Sequence, residues 1–279
     1  MPSRISRVII HPTDFSAVSH RAFCQALAIA LQGQSKLFVV HVGPKLNAEV
    51  DWEAFPGVRA TLARWGLVAA DVPRKQIAEQ FGLTVQKVVR RSSNPARATA
   101  ELVDEHDADL VVVGSKHAKG RQVLPRRSIA NAIARKSRAR TLIVPERATN
   151  GVVNQNDGSG LIRRILVPVS RQPDGEVAIT QAETFAKGLG ESPASLKLFH
   201  VGNRGLPNTL PSEDRYCQWK GETRQGNVGQ EIVREVQQFR ADLIVMTTNP
   251  RRKPFKTFSG RTLTHTVRHA RCPVLAVPG

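Results

Sequence analysis

Ala108-Asp109-Leu110-Val111-Val112-Val113 returns as Ala241-Asp242-Leu243-Ile244-Val245-Met246, and Thr141-Leu142-Ile143-Val144-Pro145 returns as Val274-Leu275-Ala276-Val277-Pro278. The displacement is 133 residues at both ends (241 − 108 and 278 − 145), with no gap between them. Such a spacing exceeds the ~20–50-residue period of a solenoid and has the size of a domain, so the chain is read as a duplication. Each copy runs buried strand, polar loop rich in Gly, Pro, Arg and Lys, helix, buried strand. Continuous β-branched runs without alternation fit a parallel sheet covered on both faces. The loop then leaves the carboxyl end of a parallel strand for a helix N-terminus, where α/β sheets bind ligands and free N–H groups attract phosphate.

Upstream, Arg7 to Pro12 reads as a first strand, Ala17 to Leu31 as a helix closed by Gly33, and Leu37 to Val42 as a second strand. Helical material from Val58 to Phe81 must be interrupted at Pro73, whose ring blocks the helix ladder. Thr84 to Arg90 is a third strand, and Asn94-Pro95 starts a helix with Asn as N-cap and Pro in the first turn. Five strands alternating with helices predict a doubly wound parallel sheet.

The stretch from Pro145 to Arg163 is polar and contains glycine, and it reads as a linker. After it Ile165-Leu166-Val167-Pro168 repeats Ile9-Ile10-His11-Pro12 at an offset of 156, and His200-Val201-Gly202 repeats His41-Val42-Gly43 at 159. Asn227 repeats Asn94 at 133, so the second copy lacks 26 residues (159 − 133) between its second and third strands. What is missing is the second helical segment. The domains are therefore set at 1–147 and 163–279, with 148–162 between them. One face of the shorter copy should be less covered, to be filled by the other half or by a partner.

The chain has 279 residues and a net charge of +18, an excess that favours acidic partners without choosing among nucleic acid, anionic lipid and polyphosphate. The residues from Lys116 to Arg140 include nine Lys and Arg and no acid, and those from Arg251 to Arg271 seven and none. These runs read either as anion sites built from guanidinium forks or as solvated basic faces. Few aromatic residues are present to stack single-stranded bases. Cys24, Cys217 and Cys272, odd in number and without a CxxC spacing, read as reduced thiols. No apolar run is long enough to span a membrane, and the expectation is a cytoplasmic protein. His265 and His269 have an i, i+4 spacing that can bind zinc, but Thr266 stands where a metalloprotease has Glu, and the repeat equivalents Ala132 and Lys136 are not ligands; no metal is expected. No P-loop, nucleophile elbow or Gly-x-Gly-x-x-Gly motif demands an enzyme.

With these residues in view, the whole chain resembles a tandem member of the universal stress protein family. That resemblance implies two five-stranded Rossmann-like domains of the adenine nucleotide alpha hydrolase type. ATP-binding members carry an early Asp and a loop Gly-x2-Gly-x9-Gly-Ser/Thr. The resemblance places the early carboxylate on Asp14 in Pro12-Thr13-Asp14, a residue beside the adenosine on Val42, and the loop on Gly114, His117, Arg127 and Ser128. In the second half the positions are Ser170, Val201, Thr247, Pro250, Gly260 and Arg261. Each half has thus replaced two of three loop glycines, which serve positive φ and close approach of backbone to phosphate. The second half is expected not to bind ATP; the first keeps Asp14, Gly114 and Ser128 and is the candidate nucleotide site. Ser128 as a plain helix N-cap and Asp14 as the start of a helix explain the same residues without a ligand.

The function expected is a non-catalytic stress-response protein with degenerate nucleotide binding and no required cofactor. The alternatives are an ATP-binding switch in the first domain and a nucleic-acid or anionic-surface binder through the basic loops. The two domains should associate within the chain through their last strands, with a homodimer and an acidic partner as further expectations.

Overall fold

The computed structural model describes residues 5–44, 52, 55, 57–116, 128–171, 175–208, 210, 211, 214–248 and 260–279. The first half contains β1 (Val8–Thr13), α1 (Ala17–Gly33), β2 (Lys36–Gly43), α2 (Val58–Arg64), α3 (Arg74–Phe81), β3 (Thr84–Arg91), α4 (Pro95–Glu105), β4 (Leu110–Ser115), α5 (Ile129–Lys136) and β5 (Arg140–Pro145). The second contains β6 (Ile162–Val169), α6 (Glu176–Leu189), β7 (Gly190–Val201), β8 (Cys217–Arg224), α7 (Val228–Phe239), β9 (Leu243–Thr248), α8 (Gly260–His269) and β10 (Val274–Pro278).

The strands form one sheet in the order β3-β2-β1-β4-β5-β10-β9-β6-β7-β8. All neighbours are parallel except β5 and β10, which run antiparallel with Ile143 opposite Val274, Leu142 opposite Leu275 and Thr141 opposite Ala276. The contact expected between the last strands joins the two five-stranded halves into one sheet of ten strands. Leu142 and Leu275 are equivalent in the 133-residue repeat and face each other, so a pseudo-twofold axis passes between them. Each half keeps the doubly wound strand order, with its switch point at β1/β4 or β6/β9.

The uninterrupted apolar strands bury both faces, as parallel strands must. Ile9, Val112, Leu142, Ile165, Val245 and Leu275 belong to one core under α1 and α6. Ile10, Val111, Ile143, Leu166, Ile244 and Val274 belong to the other, under α4, α5, α7 and α8. Both cores continue across the seam. The repeated aspartates clamp the strand starts: Asp109 accepts from the Arg7 N–H at 3.1 Å, and Asp242 from those of Arg163 and Arg164 at 2.9 and 2.8 Å.

Three local expectations change. Gln34, not Gly33, takes the left-handed conformation that ends α1 (φ 49°), and its N–H caps the carbonyls of Ala30 and Leu31. Pro73 does not kink one helix; it caps α3, and α2 has already ended at Arg64, with Gly66 at φ +72°. The linker is no free polar spacer. Val152 and Val153 are buried, and their N–H groups donate to Gln25 Oε1 of α1 at 2.6 and 3.1 Å. Trp65 Nε1 donates to the Gln155 carbonyl at 2.8 Å, and Gly158 lies so close to the indole that an added Cβ would sit 2.7 Å from it.

The shortened copy covers part of its sheet with the segment between β7 and β8. Leu206 and Leu210, from the segment between β7 and β8, lie over Gly221, where a Cβ would stand 2.4 Å from Leu206 Cδ1, and Trp219 is buried. The two leucines take up area that the longer connection of the first half covers with helix.

Candidate functional site

At the β1/β4 switch point, β1 ends in Pro12 and Thr13 and the chain turns through Asp14, Phe15 and Ser16 into α1. Thr13 Oγ1 accepts from the Phe15 N–H at 3.1 Å and from Ser19 Oγ at 2.9 Å. Ser16 is the N-cap of α1, its hydroxyl accepting from the Ser19 N–H. Asp14 Oδ1 accepts from the Ser16 N–H at 3.1 Å and from Ser16 Oγ at 2.5 Å, so the helix-start explanation of Asp14 is realised in the structure. Its other oxygen, Oδ2, lies 2.6 Å from Lys116 Nζ, one residue past β4. Partial burial alone would raise the Asp14 pKa; the hydrogen bonds from Lys116 and Ser16 outweigh it and hold the carboxyl below its ordinary range.

Phe15 has φ 60°, a left-handed conformation that strains a bulky residue by about 1–2 kcal/mol. Its ring is fixed by His41, Trp52 and Phe55, with centroids 4.8, 5.5 and 5.7 Å away. Phe55 also meets Phe23 of α1 at 5.0 Å and His20 at 6.1 Å. Below this cluster His11 is fully buried, its Nδ1 2.8 Å from the Val112 carbonyl and its Nε2 3.5 Å from Ser19 Oγ. Burial lowers its pKa to about 4, so the ring is neutral at pH 7 and Nδ1–H donates to Val112.

Gly114, the fifth residue of β4, has a packing reason to lack a side chain. A Cβ there would stand 2.9 Å from the Val18 carbonyl oxygen and 3.2 Å from the Ser19 nitrogen, so the backbone of α1 occupies the space. Ser128 holds the N-cap position of α5, yet its hydroxyl makes no capping bond and lies 3.2 Å from Ser115 Oγ. Val42, near the end of β2, pairs with Arg90 of β3 and packs against the α4/α5 core. Pro12, Thr13, Asp14, Gly114 and Ser128 thus gather at the ends of β1 and β4, with Val42 two strands from β4. His117 and Arg127 lie outside the described residues. Phe15, His11 and Lys116 were not singled out from sequence. The signal for Lys116 was the adjacency of β1 and β4, which sets the first residue beyond each strand side by side.

In the second half Ser170 follows β6, Val201 ends β7, Thr247 is buried in β9, and Gly260 and the exposed Arg261 open α8. Pro250 lies outside the described residues. The His200 Nδ1 is 3.0 Å from the Val169 carbonyl, repeating the 3.1 Å contact of His41 Nδ1 with Thr13. The surroundings differ. Arg171, Glu176, Ile179 and Thr180 line a cleft of about 540 Å³ beside Ser170. At the 156-residue offset these are Phe15, His20, Phe23 and Cys24, three of them members of the ring cluster that fills this place in the first half.

Because β5 and β10 are antiparallel, β4 and β9 end at opposite rims of the sheet. Cys24, Cys217 and Cys272 are buried free thiols. Among the described residues no group of three or more His, Cys, Asp and Glu could hold a metal, and no helix is long and apolar enough to cross a membrane.

The model of the universal stress protein family matches residues 6–145 and 197–278. The chain belongs to that family. A universal stress protein from Archaeoglobus fulgidus is similar over 99% of this chain and 97% of its own, at 17% identity and a TM-score of 0.64. A functionally unknown Pseudomonas aeruginosa protein is similar over 99% and 94%, at 13% identity and a TM-score of 0.57. Both likenesses concern the fold: a tandem pair of universal stress domains in one chain. No curated protein matches the chain.

Proposed function

We propose that this universal stress protein acts in the stress response by binding and interaction, without catalysis, and that its first-half nucleotide site is weakened. The observation that carries this reading is the engagement of Asp14. Each carboxylate oxygen already has a partner, one Ser16 and one Lys116, so a ribose or base must share the carboxylate with an ammonium at 2.6 Å. Two further observations support it. Gly114 is spent on packing against Val18, and rings fill the space beside α1 that stands open in the second half. The second half has Ser170 for the carboxylate and Arg261 for the small hydroxyl residue, so a strong charged acceptor for ribose is lost there.

Calorimetric titration of the full chain with ATP is expected to show no saturable binding at micromolar concentrations. Changing His117 and Arg127 together to glycine restores two loop positions and should raise the affinity. Micromolar binding by the parent chain that disappears in Asp14→Ala would overturn the reading in favour of an ATP-dependent switch.

A further inference from the structure

A second cleft, of about 490 Å³, opens at the seam between the halves and is lined by Arg147, Thr149, Val233, Gln237, His269 and Arg271. It joins the segment after β5 to the end of α8, which are tied by the Thr149 N–H donating to the Arg271 carbonyl at 3.1 Å. No acidic residue is among those lining it. His269 turns its Nδ1 to the His265 carbonyl at 2.9 Å, which leaves Nε2 as its other polar atom.

The repeat supplies a control. At the 133-residue offset Gln237, His269 and Arg271 correspond to Asp104, Lys136 and Arg138. In the first half Arg138 Nε lies 3.8 Å from Asp104 Oδ1, an exposed ion pair on the surface. In the second half the carboxylate has become the Gln237 amide, and neither Arg271 nor Arg147 has an ion-pair partner among the described residues. The second half thus has an amide where the first has a carboxylate, while the arginine is common to both. Arg147, from the segment after β5, adds a second guanidinium to the lining.

We propose that this seam cleft binds a small anion carrying two or more phosphate groups. Arg147 and Arg271 are its charged anchors, and the Thr149 hydroxyl and Gln237 amide are further donors. Guanidinium forks match phosphate oxygens bidentately, and two of them favour a ligand with more than one phosphate. The volume falls within the ~300–1,000 Å³ of small-molecule pockets. The cleft uses no residue of the β1/β4 site, so it does not depend on whether Asp14 meets a nucleotide. Free diphosphate and the phosphate tail of a nucleotide offer the same chemistry.

The test is calorimetric titration of the full chain with sodium pyrophosphate at low and at physiological ionic strength. One saturable site is expected. Its affinity should fall by about tenfold or more in Arg147→Ala/Arg271→Ala, and similarly in Gln237→Asp, which returns the first-half carboxylate to the side of Arg271. Lys116→Ala, at the other site, should leave it unchanged. Displacement of pyrophosphate by ATP but not by adenosine would identify a nucleotide tail as an acceptable source; failure of ATP to displace it would identify free diphosphate. Absence of saturable binding would overturn the proposal. So would undiminished affinity in both cleft variants with the parent circular dichroism spectrum, which would assign the binding to charge elsewhere.

Discussion

The first half builds the contact between its second strand and fourth helix from rings and aliphatic groups, while the second builds the same contact from ions. Phe38 of β2 stacks on His106 at the end of α4, with centroids 4.1 Å apart and planes 13° from parallel, beside the buried Leu102. The equivalent residues are Lys197, Phe239 and Glu235. There the Lys197 ammonium lies 4.9 Å from the Phe239 ring centroid, 2.7 Å from Glu235 Oε1 and 3.0 Å from Glu222 Oε2. Arg224 reaches the other Glu235 oxygen at 2.8 Å and Glu231 at 3.5 Å. Burial alone would lower the Lys197 pKa, and the hydrogen bonds it donates to Glu235 and Glu222 outweigh this and raise it. A fold position therefore fixes how much surface is covered, and it leaves the chemistry free as long as every buried charge has a partner.

Exchanging residues between the halves tests this. Glu235→Leu, the residue of the first half, removes the acid shared by Lys197 and Arg224, leaves Lys197 only Glu222, and should cost about 3 kcal/mol in urea unfolding. Adding Lys197→Phe should recover most of that loss. A single variant as stable as the parent would mean that Glu222 and Glu231 suffice for both cations.

His11 has Val167 as its counterpart, and the difference should appear in the pH dependence of stability. The folded pKa of His11, about 4, lies below the ~6.5 of an unfolded chain, so between these values the unfolded state binds more protons. The contribution is complete above about pH 6.5 and is lost as the pH falls toward 4, by about 3 kcal/mol in all. His11→Val should flatten the stability profile in this window. An unchanged slope would place the titration on other groups.

The smallest effect is expected at the seam. Thr141 Oγ1 is buried without a hydrogen-bond partner, and the repeat equivalent is Val274. Thr141→Val should stabilise the protein by about 1 kcal/mol, because it removes an unsatisfied hydroxyl at constant shape. A lower melting temperature would show that the hydroxyl is satisfied in solution.

The duplication, the doubly wound parallel class of each half and the lost helical segment could all be read from the residues, because apolar runs and repeat offsets are properties of the chain alone. Merging of the sheets could only be guessed, since nothing local in Leu142 or Leu275 says what the strand will pair with. The linker misled because two valines, Val152 and Val153, set among polar residues determine its packing. At the site, Asp14 and Ser128 were placed by the family resemblance. The group that decides Asp14's state, Lys116, stands 102 residues away and enters only through parallel pairing of β1 with β4. Gly114 shows the same limit: a glycine required by Val18 of a neighbouring helix and one required by a phosphate look alike in sequence.

The seam itself bears on how such a chain can evolve. In a dimer of identical subunits every substitution occurs on both sides, and a residue on the twofold axis must tolerate its own copy; leucine does, whereas a lone charge would face a like charge. Here the residues that meet at the axis are still Leu142 and Leu275, but they are encoded separately. Covalent fusion keeps the geometry of a dimer and abolishes its obligation of sameness. That freedom is what allowed one half to keep a carboxylate beside its switch point, and the other to exchange an acid for an amide at the cleft between them.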